Sequence, residues 1–401
     1  MLWNSIGSLT NLGCQWLITI LIVRLSSGYD AAGIYSLAIT TYNIFGSIAQ
    51  YKMYTYQISD VNRENSTGEY LAFRFITSTG ALVLCSAYGI ATCDQSAWVA
   101  IALYAVYKTI ALLIDVFHAC DQQNRRMDYI GISLALQGTL TLIAFVGFFA
   151  ISQSVEIALI GMAAAVAIVG LSYDFGRTKQ FGKIKFGISR KKALHLLLRC
   201  LPIVVAGIAA AATSSLPRQA LANIMGNETL GIYASVAAPV AIIQMGASYI
   251  YNPMLSYFSE LHASNDTKGL IKLLAKTLGA IFLVGALCVL GFALLGEWLL
   301  VLLFGNSITE YVYLLVPLVA FAVVTGVQWF FNDLLIAFRD FRSTFISSVA
   351  SLIAVLVLEQ PFIIEYGPNG VTFVGMIACA IGLTVMLLAL ANIIRKKASI
   401  G

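Results

Sequence analysis

The chain has 401 residues, 59% of them hydrophobic and 11% charged, with a net charge of +5 and a mean hydropathy of +0.86. A soluble domain carries about 25% charged residues, so this composition excludes a water-soluble protein. Seven scattered cysteines without a Cys-x-x-Cys pair, and histidines only at 118, 195 and 262, offer neither a disulfide framework nor a metal-binding spacing.

Windows free of charge recur at 1–23, 31–51, 75–93, 129–155, 157–173, 200–217, 229–259, 277–296, 311–332, 343–358 and 366–394. A further window, 95–114, is interrupted only by Lys108. About 20 helical residues cross a hydrocarbon core of ~30 Å, and lipid offers no partner to an unsatisfied backbone group. Twelve transmembrane helices are therefore expected. The first window contains Trp3 and Trp16 and has no basic n-region or small-residue cleavage site, which marks it as a retained span rather than a signal peptide.

The longest polar stretch, Asp174 to His195, carries seven basic residues and separates two sets of six spans. The expected organisation is an N-terminal six-helix bundle over 1–180, a basic cytoplasmic linker over 181–195 and a C-terminal six-helix bundle over 196–401. An interfacial amphipathic helix is expected near Lys192–Leu201. Of the short outer connections the longest runs from Gly296 to Glu310, and its Leu299–Phe304 segment is expected to dip into the interface.

The halves carry a shared mark. Gly33-Ile34-Tyr35 recurs as Gly231-Ile232-Tyr233, an offset of 198 residues that also brings Tyr51 onto Tyr249. Arg24 precedes the first copy and Arg218 the second. Six spans return a half to its starting side, so the repeats are parallel, related by an axis along the membrane normal, as in transporters.

Twenty of the 24 Lys and Arg residues fall in or beside the two tails and the loops after the even-numbered spans. They include Arg63, Arg74 and the run Arg177 to Arg199. This asymmetry places both termini in the cytoplasm. The basic runs then face anionic headgroups and are not a nucleic-acid footprint.

Lys108 lies ten residues beyond Trp98, about 15 Å along a helix and close to the membrane midplane. A lysine there costs roughly 2.5–3.5 kcal/mol on insertion scales, so it needs a partner or a water-filled cavity. Asp115 follows at i+7 and His118 one turn on, which suggests a polar stripe. Arg24 and Arg218 are the two basic residues in outer loops, at equivalent places in the repeats, and arginine suits bidentate phosphate recognition. Lys52, near the inner end of span 2, is open to snorkelling or to cavity lining. Gln328, Asn332 and Asp333 form a polar patch on span 10, suited to cavity lining or to interhelical hydrogen bonds. Glu156, Glu359 and Glu365 sit near the outer surface as solvated residues. No metal motif, phosphate-binding glycine loop or nucleophile with an adjacent base is present, so an enzyme is not expected.

Several motifs together resemble the Wzx-type polysaccharide-biosynthesis flippases. In spans 4 to 5 they are Tyr107-Lys108, Asp115-Val116-Phe117, Gln122, Arg126-Met127-Asp128-Tyr129-Ile130-Gly131 and Ser133. In spans 7 to 8 they are Pro217-Arg218, Gly226, Leu230-Gly231-Ile232-Tyr233, Pro239 and Asn252-Pro253, and Ala32-Gly33-Ile34-Tyr35-Ser36 matches the span 1 to 2 turn. Two positions depart: Ala111, where many relatives carry Glu, and Ala119, where they carry Gly.

The resemblance implies an all-α integral membrane protein of twelve transmembrane helices, arranged as two parallel six-helix bundles around a central cavity. It implies a flippase of the bacterial plasma membrane that moves a polyprenyl-diphosphate-linked oligosaccharide to the outer leaflet by alternating access, for O-antigen or capsule assembly. The cavity residues expected to contact substrate are Lys108, Arg24, Arg218, Lys52, Asp115, Gln328 and Asn332. No cofactor is implied; a proton gradient, a sodium gradient and the membrane potential all stand as drivers. Membrane lipids and the polymerase and glycosyltransferases of the same pathway are the expected partners. The nearest alternative is a drug or cation antiporter of the same superfamily, which would rely on buried carboxylates where this chain has a lysine. A membrane polymerase or ligase fits less well, because the outer loops are short.

Overall fold

The computed structural model describes residues 2–60 and 64–398. Arg63 lies outside these residues, as do the side chains of Tyr249, Lys396 and Lys397. All regular structure among the described residues is helical. Six long helices occupy the first half: α1 (Leu2–Leu25), α2 (Asp30–Gln50), α3 (Thr67–Thr92), α4 (Trp98–Gln123), α5 (Met127–Ser152) and α6 (Val155–Val169). A π turn, Gly170–Asp174, and shorter helical turns carry α6 on to Phe181. Six follow in the second: α7 (Arg190–Met225), α8 (Asn227–Tyr251), α9 (Thr267–Phe304), α10 (Leu315–Ala337), α11 (Phe341–Tyr366) and α12 (Pro368–Ala398).

Eleven of these are long and apolar enough to cross a membrane. The exception is α2, whose 21 residues span about 31 Å at 1.5 Å per residue. Its shortfall is in hydropathy, and burial explains it. Thirteen of its residues are buried, among them Ser36, Thr40 and Thr41, so packing against protein replaces contact with lipid. At the other extreme, α9 has a mean hydropathy of 2.7 in a window only 11% buried.

The chain forms two compact units, Met1–Ala211 and Ala212–Gly401. The division falls inside α7. Leu196, Cys200 and Val204 of that helix pack in one cluster with Tyr51, Tyr70, Phe73 and Val116. Lys192 Nζ also bonds Glu69 Oε1 at 2.8 Å. Element order runs in parallel in the two units. Gly33-Ile34-Tyr35 and Gly231-Ile232-Tyr233 lie in the first two turns of α2 and α8, and a short helix follows each, Met53–Ser59 and Leu255–Ala263.

In the N-terminal unit α4 is the central helix, packed on α2, α3, α5 and α6. Alongside, α1 lies so close to α5 that a Cβ on Gly131 would run into the Trp3 carbonyl, and one on Gly138 would lie 2.6 Å from Asn11 Cα. Small residues permit such backbone approach between membrane helices. Gly138→Val should therefore force α1 off α5 and cost about 1–3 kcal/mol, read as a lower unfolding temperature in detergent. An unchanged unfolding temperature would show that the two helices are not clamped there. In the C-terminal unit α12 packs on α10 and α11, and α10 on α8. Phe258, Phe330, Leu334 and Leu335 form the fully buried centre of its core.

Four sequence expectations change. Lys192–Leu201 is no separate interfacial helix but part of the continuous 36-residue α7. Leu299–Phe304 forms the last turns of the 38-residue α9, which at about 57 Å extends well beyond a hydrocarbon core. Arg74 does not face headgroups: it is 1% exposed inside α3. Asp174, which opens the polar stretch in the sequence, is fully buried in the π turn of α6.

Candidate functional site

The N-terminal unit carries an open cavity of ≈ 450 Å³ walled by α1, α2, α4 and α5, within the range of small-molecule sites. Its lining carries many polar side chains. Ser8, Asn11 and Gln15 come from α1, Asn43 and Gln50 from α2, Gln137 from α5, and Lys108, Asp115 and His118 from α4. The α1 residues with Leu12 have the spacing i, i+3, i+4, i+7, one helix face. That periodicity is the signal that could have found them in the sequence; it is hidden in a window defined by its lack of charge.

Lys108 is half-buried in this wall. Its Nζ lies 5.5 Å from the Tyr104 ring centroid and 5.1 Å from that of Tyr107, within cation–π range. Gln15 Nε2 donates to the Tyr107 hydroxyl at 2.8 Å, so α1 steadies the ring beneath the cation. Tyr104 in turn meets Tyr35 and Tyr42 of α2 edge-on at 6.0 and 5.8 Å. The Tyr of the repeated tripeptide is thus a core anchor, and Tyr233 serves likewise in the other unit, its hydroxyl 3.2 Å from Thr372 Oγ1. Among the described residues Lys108 makes no ion pair. Ala111, the departure from the family pattern, also lines the cavity, so the cation has no acidic neighbour one turn on.

Asp115, two turns further along α4, faces Arg74 Nη2 at 3.9 Å. The buried guanidinium also donates through Nη1 to the carbonyls of Ala49, at 3.4 Å, and Gln50. Those are among the carbonyls left without intrahelical partners where α2 ends, at left-handed Tyr51 and Lys52 with φ of 46° and 56°. One arginine thereby ties the end of α2 to the cavity wall of α4. Below Asp115, His118 Nε2 lies 3.2 Å from Asp174 Oδ1. Ser133 Oγ donates to Asp174 Oδ2 at 2.9 Å, and Gln137 Nε2 to Ser133 Oγ at 3.0 Å. In the loop after α4, outside the spans, Arg126 forks Asp128 at 2.9 and 2.6 Å; these bonds raise the already high pKa of the guanidinium.

The remaining expected site residues lie elsewhere. Arg24 is exposed in the last turn of α1, and Lys52 is exposed between α2 and the short helix after it; neither lines this cavity. Arg218, Gln328 and Asn332 belong to the C-terminal unit. Arg218 is half-buried in α7. Gln328 Oε1 accepts from Cys379 Sγ at 2.9 Å, joining α10 to α12. Asn332 bonds the neighbouring Asp333 at 3.5 Å, whose other oxygen accepts from Tyr251 at 2.9 Å. The span 10 patch thus makes interhelical hydrogen bonds.

No protein-family model matches the chain. A curated relative, the capsular polysaccharide biosynthesis protein CapF of Staphylococcus aureus, is 22% identical over 364 residues, covering 89% of this chain and 90% of that one. Among solved structures, the lipid II flippase MurJ in an inward closed conformation superposes with a TM-score of 0.75, at 13% identity, over 99% of this chain and 90% of that one. An inward-facing multidrug resistance MATE transporter of the MOP superfamily gives 0.71, at 12% identity, over 96% and 98%. The chain therefore has the twelve-helix fold of the MOP superfamily transporters. Its resemblance to the Wzx-type flippases is borne out by the capsule-biosynthesis relative together with these flippase and transporter neighbours.

Proposed function

We propose that the chain is a flippase that carries a polyprenyl-diphosphate-linked oligosaccharide from the cytoplasmic to the outer leaflet of a bacterial plasma membrane by alternating access. The observation that carries this reading is the cavity of the N-terminal unit, where Lys108, without an ion-pair partner among the described residues, stands among carboxamides and tyrosine hydroxyls. A diphosphate leaving water needs cationic partners. Sugar hydroxyls need groups that both donate and accept, as Asn and Gln do. A cation antiporter would instead present a free carboxylate in the cavity, whereas Asp115, the acid lining this one, is paired with Arg74. The capsule-biosynthesis relative and the lipid II flippase neighbour support the same substrate class. Lys108 supplies the principal cationic contact of this cavity; Arg218 and Arg24, which do not line it, are proposed as further cations for the substrate. The test is complementation: in a flippase-null strain the wild-type chain should restore surface glycan. Lipid-linked glycan that stays on the cytoplasmic leaflet despite normal membrane expression would refute the reading.

Both termini and the loop around Lys183 lie in the cytoplasm in this proposal, since 20 of 24 basic residues belong to that side. In a background without the seven native cysteines, Lys183→Cys should resist membrane-impermeant thiol reagents in intact cells and react after lysis. Labelling from outside would reverse the topology.

A further inference from the structure

Beneath the cavity, α4 and α6 are joined by two polar rungs one helical turn apart. The upper rung is His118 to Asp174, and the lower is Asp121, whose Oδ1 accepts from Thr178 Oγ1 at 3.3 Å. His118 is 3% exposed, and Asp121 and Asp174 are not exposed at all. Residues three or four apart on a helix are neighbours, so His118 stands over Asp121 on α4 and Asp174 over Thr178 on α6. Two buried carboxylates, one bonded to the imidazole and one a helical turn from it, thus stand beside a single histidine. Even with His118 charged the cluster carries a surplus negative charge, and a buried unpaired charge tends to be neutralised by taking a proton. Asp121 Oδ2 is buried and has no hydrogen-bond partner among the described residues. Asp174 reaches the cluster from the π turn Gly170–Asp174, and such turns inside α-helices are frequent at functional sites.

The other groups facing the cluster do not remove that surplus. From α3, Arg74 is engaged by Asp115 and by the end of α2. From α5 come the neutral Ser133 and Gln137, and Arg126 before it is taken by Asp128. From the short helix after α2, Tyr54 bonds Gln122 at 2.7 Å. On α6, Arg177 is exposed and lies over Tyr129 and Tyr173. On α4 itself Lys108 sits nearly three turns above, against its two tyrosines. The cluster has a route to the cavity, because His118 and Gln137 belong to both.

We propose that His118, Asp174 and Asp121 form a proton-binding site of the N-terminal unit, loaded through the cavity wall at His118, and that its loading is coupled to substrate movement. The proton enters at the imidazole and is held between the carboxylates. Its loss leaves the two carboxylates in mutual repulsion and loosens the α4–α6 contact. The coupling clause rests on the flippase reading; the proton site does not.

Two measurements separate them. First, with three histidines in the chain, isotope-labelled histidine NMR of the substrate-free protein in nanodiscs can assign His118 by its loss in His118→Gln. Its ring signals should report a transition between pH 5 and 9 that moves by at least one pH unit in Asp121→Asn and in Asp174→Asn, with His195 and His262 unmoved. The milder Thr178→Val should shift it in the same direction, should an Asn variant fail to fold. A His118 signal that is flat over this range, or indifferent to all three substitutions, overturns the proton site. Second, proteoliposomes given a fluorescent polyprenyl-diphosphate disaccharide should accelerate several-fold under a pH gradient, and Asp174→Asn should lose that acceleration while still exchanging substrate without a gradient. Transport that ignores the gradient overturns the coupling alone. A normal His118 transition in a protein that moves no such lipid refutes the flippase reading and leaves the proton site standing.

Discussion

Arg74→Ala should be among the most destabilising single substitutions in the N-terminal unit. The side chain is 1% exposed, faces Asp115 at 3.9 Å and donates to the carbonyls of Ala49 and Gln50. Removing it leaves those carbonyls short of donors, although Thr77 Oγ1 still reaches Ala49 O at 3.1 Å. It also frees Asp115 beside the cavity. Asp115 is 37% exposed, so water recovers part of that charge, and the full penalty for breaking a buried pair does not apply. A loss of about 2–4 kcal/mol is expected, visible as a lower unfolding temperature and lower membrane yield. Arg74→Lys keeps the charge but not the fork, and should fall between the two. Wild-type stability in the alanine variant would mean that the end of α2 is not held by this residue.

Lys108→Ala should nearly abolish glycan display while leaving membrane expression unchanged. The lysine rests on Tyr104 and Tyr107 without an ion-pair partner among the described residues, so its removal leaves no buried counter-charge stranded. What is lost is a charged contact to the substrate diphosphate, about 1.5–3 kcal/mol, or roughly a 10- to 150-fold drop in affinity. Lys108→Arg keeps a cation over the rings and should retain part of the activity. Arg218→Ala should show a comparable loss and Arg218→Lys a partial one, because charge survives and bidentate geometry does not. Full display from both alanine variants, at normal expression, would remove the cationic contacts from the mechanism.

The number and order of the helices are legible in the sequence because lipid imposes one requirement on every span, about 20 residues without charge in a helix that satisfies its own backbone. The depth of Lys108 follows from helical rise and the position of Trp98. The stripe Lys108, Asp115, His118 follows from helical period, and the structure adds the buried Asp121 one turn beyond His118. The duplication shows because Gly-Ile-Tyr occupies the same place in two helices. Where the reading changes, the cause is one of packing. Arg74 and Asp174 count in sequence as loop-side charges, yet each is buried because a partner on another helix neutralises or bonds it: Asp115 for Arg74, His118 and Ser133 for Asp174. The ends of α7 and α9 also escape a window count. Lysines 268, 272 and 276 recur every fourth residue on α9 and lie on one face of a helix that runs on beyond the membrane core.

Composition and periodicity alone thus determine a twelve-helix membrane protein with a duplicated architecture, a sided charge distribution and a deep lysine, since each follows from chain-local properties set against the bilayer. Only the tertiary structure decides which polar residues share a wall. Asn11, Gln15, Asn43, Gln50 and Gln137 are unremarkable singly and come together because α1, α2, α4 and α5 pack around one cavity. The same packing brings Asp174 from α6 to His118 on α4, 56 residues apart in sequence. Such pairing depends on helix rotation and on backbone approach at Gly131 and Gly138, quantities that no single helix encodes.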